Sequence, residues 1–400
     1  MGLCKYYPPA DTRMGMLLTL AGIHDVAILE FGPMGTANYG DMMLQSYGYT
    51  TDILHFSTHM TDTQIALGDF DCLRDAIIAI QEKHSPQAIF VLSSVLAEIT
   101  GASIQHLCRN MSTDVCKVVL LPSPGIGKAD IHGITAAISS LDVFVNEGHQ
   151  KIPYTYNIVG SIADDYTYSS DVAEIIRLMR RYFKAEAFCV MPWNCSLEKL
   201  SNFCHGTIDL VIRSEGLPFA TCIREKYGVP YVFGRPCGYE QTTAWLRRIA
   251  NVTGWELDET LLQEDWQKFS EKQLRLKTHI MRTYHGKPLD LLLFSRYDTA
   301  KSVGLFLSSE LGIKVNTMCP VSFNDDISIS SETSWKAYID SHPDCLVLGD
   351  WSMYAYKPNR ASIVAHPAAG RLDIAETRPL LGFTAAGVLV EIIWNLLHNL

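Results

Sequence analysis

The segment "LEFGPMGTANYG", Leu29 to Gly40, carries the residue types that most invite a chemical reading. The apolar run "DVAILEF" before it, Asp25 to Phe31, reads as a buried strand that passes straight into Gly32-Pro33 and then Gly35. Closely spaced glycines at a strand end mark a place where backbone passes near a ligand or another chain. Thr36 is the side chain such a turn presents. A second segment, "PSPGIGKADIHG", offers Gly125, Gly127 and Lys128 in the manner of a phosphate loop, but Ala129 stands where a Ser or Thr must hold magnesium. No GxGxxG follows the first strand, so a nicotinamide cofactor has little support. His205 beside Cys204, and His132 after Asp130, could act as ligands or acid–base groups. Neither has a partner at metal-binding spacing, and a lone histidine near a strand is more often structural. Ser196, after Cys195, reads as the N-cap of a helix, and Cys237 sits in the Gly-Pro-rich turn "GRPCGYEQTTAWL" with no demonstrable chemistry.

Those residues need elements to hold them. A chain of 400 residues, 48% hydrophobic and 19% charged, is globular and has room for two or three cores. The net charge of −10, without a block of like charge, argues against a phosphate-backbone footprint and so against nucleic acid. The opening "MGLCKYYPPADTR" has no apolar h-region and Tyr6 breaks the myristoylation pattern, so the expected location is cytoplasmic. No apolar run reaches the ~18 residues of a membrane span, and the ending "GFTAAGVLVEIIWNLLHNL" is interrupted by Glu391, Asn395 and His398, as in an amphipathic helix. Eleven cysteines without CxxC pairs read mostly as core thiols rather than a disulfide framework, and the sequons at Asn110, Asn194 and Asn251 as chance matches.

Short β-branched runs alternate with helical stretches, the pattern of parallel sheets with crossover helices. A first unit, residues 1–150, holds strands at "DVAILEF", "DILHF", "QAIFVLSS", "KVVLL" and "LDVFV", with helices over about Thr12 to Ala21, Leu73 to Gln81 and Ala129 to Ser139. A second, residues 151–285, has strands at "YNIVGSIADD", "EAFCVM", "IDLVIR" and "VPYVF". It ends in a long helix, Leu257 to Tyr284, whose Leu257, Leu261, Leu262, Trp266, Phe269, Leu276 and Ile280 are spaced for one buried face. The third, residues 286–400, has strands at "PLDLLLFS", "IKVNTM" and "DCLVLGD" and closes on a helix from Gly382 to Leu400.

The order of several segments is more specific than any one of them. Cys4, Pro8-Pro9, a helix, Gly22-Ile23 and "DVAILEFGPMG" are followed by "IPYTYNIVGS", by "LVIRSEGLPFATCIREKYGVPYVFGRPCGYEQTTAWLRRIA" and by "HPAAGRLDIAETRPLLGFTAAGVLVEIIWNLL". Over essentially the whole chain this run resembles the component 1 family of nitrogenase and nitrogenase-like oxidoreductases, closer to its β-type and cofactor-assembly subunits than to the α-subunit. The resemblance implies an α/β fold of three Rossmann-like, doubly wound parallel-sheet domains around a central cleft. In that family the Gly-Pro-x-Gly turn carries a cysteine that binds an iron–sulfur cluster between two similar subunits. A second ligand comes from a cysteine near the N-terminus, and a third from one after the strand matched by "IFVLSS". Cys4 matches the N-terminal ligand, whereas Thr36 and Val95 fall at the other two positions. Each iron of a [4Fe–4S] cluster needs a terminal ligand, ordinarily a thiolate, so one family ligand remains of three.

Two readings of the turn stay open. Cys4 completes a [4Fe–4S] cluster held mainly by a cysteine-richer partner, as the division of ligands in light-independent protochlorophyllide reductase would imply, with Gly32 and Gly35 giving the close approach. Otherwise the cluster is lost and the glycines serve chain packing. The resemblance further implies a subunit of a two-component, ATP-dependent reductase. A nitrogenase-reductase-type iron–sulfur ATPase would deliver electrons, because this chain has no nucleotide motif, and a second component-1-like subunit would complete the oligomer. Electrons would pass to a substrate or a further metallocofactor between the domains, where the cofactor carries the hard chemistry. An assembly scaffold for a nascent metallocluster uses the same fold and docking partner, and a non-enzymatic binding protein is the third reading. Fold alone does not choose among them.

Overall fold

The computed structural model describes residues 10–47, 53–67, 70–94, 104–122, 128–148, 150–283, 289–323, 326–366 and 378–398. A two-residue strand β1 (Ile23–His24) leads into a parallel sheet of β2 (Val26–Phe31), β3 (Leu54–Ser57), β4 (Ala88–Ser93) and β5 (Lys117–Leu120), in the order β3-β2-β4-β5. Every residue of β2 is buried, as a central parallel strand covered on both faces requires. Ala27 aligns with Leu54 on one side and Ile89 on the other. A second sheet runs β10-β9-β6-β7, from β6 (Thr155–Ser161), β7 (Glu186–Pro192), β9 (Ile208–Val211) and β10 (Tyr231–Phe233). The short β8 (Cys195–Ser196) returns to pair in parallel with β1, tying the second unit to the first. The third sheet, β13-β12-β11-β14-β15, is built from β11 (Asp290–Phe294), β12 (Lys314–Cys319), β13 (Ser328–Ile329), β14 (Leu346–Gly349) and β15 (Ala361–Ile363).

Helices fill the crossovers. α1 (Thr12–Leu20) is capped by Asp11, whose carboxylate accepts from the Met14 N–H, and all nine of its residues are buried. α2 (Met34–Ser46) and α3 (Asp71–His84) flank the first sheet. α4 (Asp130–Ser140) crosses α1 so closely that a Cβ on Gly133 would lie 1.8 Å from the Thr12 carbonyl oxygen, and one on Gly15 2.2 Å from that of Asp130. The pair of glycines is what lets the two backbones touch, and the contact fixes Asp130 at the head of α4. α5 (Tyr168–Phe183), α6 (Leu217–Tyr227), α7 (Gly238–Thr253), α8 (Glu259–Thr283) and α9 (Tyr297–Leu305) follow, and α10 (Gly382–His398) closes the chain. Its start is held by α5, where Glu174 accepts from the Thr384 N–H at 3.1 Å and the Thr384 hydroxyl at 2.8 Å, an anion at a helix N-terminus. Leu381 and Phe383 enter the second core, while Leu389, Ile393 and Leu397 enter the third.

Two sequence expectations are corrected. "LDVFV" is no strand: Leu141–Phe144 is a 3₁₀ turn continuing α4, with Leu141 and Phe144 buried and Val143 50% exposed. Burial every third residue is helical spacing, which so short an apolar run does not distinguish from a strand. Trp266 does not join the buried face of α8; it is 46% exposed and leans on Tyr239, leaving Leu262, Leu276 and Ile280 to make the face. β13 and β15 were not anticipated, because two or three residues at a sheet edge carry no alternating pattern. No described helix is long and apolar enough to cross a membrane.

Candidate functional site

"GPMGT" is the entry of a helix. β2 ends on Phe31, Gly32-Pro33 turns the chain, and Gly35 already lies in the first turn of α2. What approaches Gly32 is this chain's own segment after β3: the Gly32 N–H donates to the Thr58 hydroxyl at 3.1 Å, and the Met60 N–H donates to the Gly32 carbonyl at 3.0 Å. Gly35 is different. It is exposed, and a Cβ there would meet nothing within 4 Å among the described residues, so packing among them gives no reason for glycine at that position. Cys4 and Val95 lie outside the described residues, as does the side chain of Thr36.

A second site forms where the carboxyl ends of strands from the second and third sheets meet the first unit, the place where open α/β sheets bind ligands. β6 is followed by Asp164 and Asp165, β9 by Arg213 and Glu215, β10 by Arg235, and β11 by Arg296 and Asp298; Asp130 comes from the head of α4. Arg213 holds Asp164 at 3.0 Å and Glu215 at 2.8 Å. Arg296 reaches Asp130 at 2.7 Å and also pairs with Asp164, so one guanidinium joins all three units. Arg235 lies 2.9 Å from Asp165 and pairs with Asp171, which accepts the Leu380 N–H at 2.8 Å. Burial alone would raise the Asp164 carboxyl, but Arg213 and Arg296 outweigh it and hold it well below the usual range. Elsewhere burial wins: Asp171 and Asp298 are each pushed up to about 6, and Asp130 is raised. Asp130 Oδ1 and Asp165 Oδ1 are buried without a hydrogen-bond partner among the described residues.

His366, three residues past β15, faces this junction. Its ring lies 4.6 Å from that of Tyr47, at the end of α2, and 5.4 Å from that of Tyr166. Both ring nitrogens are buried and unpartnered among the described residues, although the residue as a whole is partly exposed. Burial lowers its pKa to about 4, so it is a neutral imidazole at neutral pH, able to take a metal or a hydrogen bond.

The remaining sequence candidates have structural roles or lie apart. His205 Nδ1 contacts the Gln150 carbonyl at 2.8 Å, and His132 is exposed. Ser196 caps its helix by accepting from the Lys199 N–H at 3.2 Å. Cys237 is fully buried, and burial together with Glu310 and Asp171 pushes its thiol well above the usual range. Gly125 and Gly127 lie outside the described residues. No group of three or more His, Cys, Asp or Glu side chains among the described residues is placed to hold a metal ion. Sequence reading passed over the junction, although its signal is in the chain: charged residues two to four positions after the strands "YNIVGS", "IDLV", "YVF" and "DLLLF".

The family model of nitrogenase component 1 type oxidoreductases matches residues 12–354. The chain belongs to that family. Among curated relatives, the nitrogenase iron-molybdenum cofactor biosynthesis protein NifE of Nostoc sp. is 24% identical over 247 residues, 60% of this chain and 50% of its own length. The NifE protein of Methanosarcina barkeri is 23% identical over 321 residues, 75% of this chain and 69% of its own. The chain therefore spans about half the length of the first of these relatives. Among solved structures, "Nitrogenase Cp1 at pH 6.5" superposes with a TM-score of 0.82, covering 100% of this chain and 94% of that one at 16% identity. The expected fold class, an α/β chain of Rossmann-like parallel-sheet domains, holds.

Proposed function

We propose that this nitrogenase-like chain handles a metallocluster as an assembly scaffold, holding it at the junction of the three sheets and passing it on. The observation that carries this is the donor set there: His366 offers two buried, unpartnered nitrogens, and no metal-binding group of three or more side chains stands with it among the described residues. A lone imidazole holds iron less firmly than a set of thiolates, which suits a guest that must leave. The names of the NifE relatives point the same way. The surrounding carboxylates oppose an anionic guest unless they take up protons, and Asp171 and Asp298, both pushed up to about 6, are the ones poised to do so.

The reductase reading shares the same parts and is favoured by the open face at Gly35. In it, Cys4 completes a [4Fe–4S] cluster with a second component-1-like subunit, Gly35 gives the approach, and a nitrogenase-reductase-type iron–sulfur ATPase supplies electrons. The chain purified alone then binds no ATP. Anaerobic co-purification with a component-1-like partner and a reductase ATPase separates the two readings. A scaffold transfers its cluster to an apo acceptor once, and His366→Ala lowers the iron it carries. Sustained ATP-dependent consumption of dithionite electrons would instead establish the reductase.

A further inference from the structure

α2 connects the two places described above. Its first turn bears Gly35 and Thr36, and its last residue leads into Tyr47 beside His366. Its 13 residues span about 20 Å at ~1.5 Å each. Midway, at Gly40, the helix lies directly on a buried polar pair: a Cβ there would come within 3.3 Å of His55 Cε1 and 3.4 Å of Glu30 Oε1, and 2.8 Å of Leu17. His55, on β3, has Nε2 3.0 Å from Glu30 Oε1 of β2 and Nδ1 2.6 Å from Asp41 Oδ1 of α2 itself. Arg13 of α1 pairs with the same Glu30 oxygen.

An ionised carboxylate only accepts hydrogen bonds, so both contacts of His55 are satisfied together only when both ring nitrogens carry hydrogen. We propose that His55 is a positioning residue: as an imidazolium it bridges Glu30 and Asp41, fixes α2 on the first sheet, and thereby sets where the Gly35 turn and Tyr47 stand. The functional consequence rests on reading those two places as sites, whereas the clamp itself does not. The charged groups facing His55 are Glu30 from β2, Asp41 from α2 and, through Glu30, Arg13 from α1. Burial works against charging the ring, yet the bonds and charges of Glu30 and Asp41 outweigh it, and the pKa is raised. Glu30 is the stronger arm, because its side chain is 2% exposed and that of Asp41 is 53% exposed and screened by solvent. A raised folded pKa means the clamp is whole below about 6.5 and is lost as pH rises through the folded value.

The test is nitrogen NMR of the His55 ring together with amide protection of α2 across pH 5 to 10, corrected for intrinsic exchange, on the full chain. Both ring nitrogens are expected in the protonated range at pH 6.5. Protection of Asn38 to Leu44 should then fall as the ring loses its proton, by up to about tenfold for each unit by which the folded pKa exceeds the unfolded one. His55→Gln, which keeps a donor for Glu30 but not for Asp41, should remove the pH step and leave α2 at its low-protection limit. Asp41→Asn, which leaves fold and Glu30 contact in place, should move the step to lower pH. A neutral ring at pH 6.5, or α2 protection indifferent to both pH and Asp41→Asn, would overturn the clamp. If the clamp titrates as expected but the complex carries no iron, it is the metallocluster reading that fails.

Discussion

Asp209 lies at the second residue of β9, wholly buried, with the Asn157 amide donating to Oδ1 at 2.8 Å and Oδ2 unpartnered among the described residues. Burial pushes its carboxyl up to about 7, against the Asn157 bond and the field of Lys151. Because the folded value is raised, the neutral acid's advantage is full below the unfolded value of about 3.9 and is lost as pH climbs to about 7. Asp209→Asn keeps the shape without the charge. It should stabilise the protein by about 4 kcal/mol at pH 8 and by nearly nothing at pH 4, read from urea midpoints. Nothing in "IDLVIR" flags this, since an acid in a strand reads the same whether its face is covered or wet. The junction residues are hidden for a related reason: Asp164 and Arg296, or Asp165 and Thr299, are more than 130 positions apart. Periodicity shows which faces bury, not which charges meet.

The elements themselves were legible where apolar runs were long. β2, β4, β6 and β11 fall where the sequence pattern puts them, and so do α1, α4, α8 and α10 within a few residues. The failures were short pieces and edges, where three or four residues carry no period. The crossing of α1 over α4 was not foreseen, because a glycine inside a helix does not say what passes it. Gly133→Ala sets a methyl against the Thr12 backbone, and neither helix can shift without moving Asp130. It should cost about 3 kcal/mol, by the overpacking that two touching backbones cannot relieve. Gly228→Ala is the control: φ is +69° but the space is open, so about 1 kcal/mol is expected from backbone strain alone. Thermal midpoints of the two variants check the contrast, and similar losses would mean the helices part easily.

At the scale of the molecule, the buried ion pairs join the three sheets more than they stabilise any one of them. Arg296→Met leaves Asp130 and Asp164 buried without their shared cation and should cost about 3–5 kcal/mol. The loss should be smaller in acid, where Asp130, already raised by burial and now without the guanidinium that lowered it, can take a proton, while Arg213 still holds Asp164. Unfolding of this variant at pH 5 and pH 8 measures it. We propose bounds near residues 150 and 285 for the three units, with α10 belonging by sequence to the third and, by Phe383 and the preceding Leu381, to the core of the second. A chain cut at residue 285 should therefore lose its cooperative transition in calorimetry. The family was legible in the order of its segments, whereas Thr36 and Val95 in the places of expected cysteines left Cys4 as the one family ligand in the sequence. The most direct measurement is iron content and electron paramagnetic resonance of the complex, purified anaerobically with a component-1-like partner, for the native chain and for His366→Ala. The account predicts iron in the native complex and reduced iron or a shifted signal in His366→Ala, with Cys72→Ala and Cys345→Ala unchanged. A complex without iron, or one whose iron and spectrum are indifferent to His366→Ala but lost in Cys4→Ala, would contradict it.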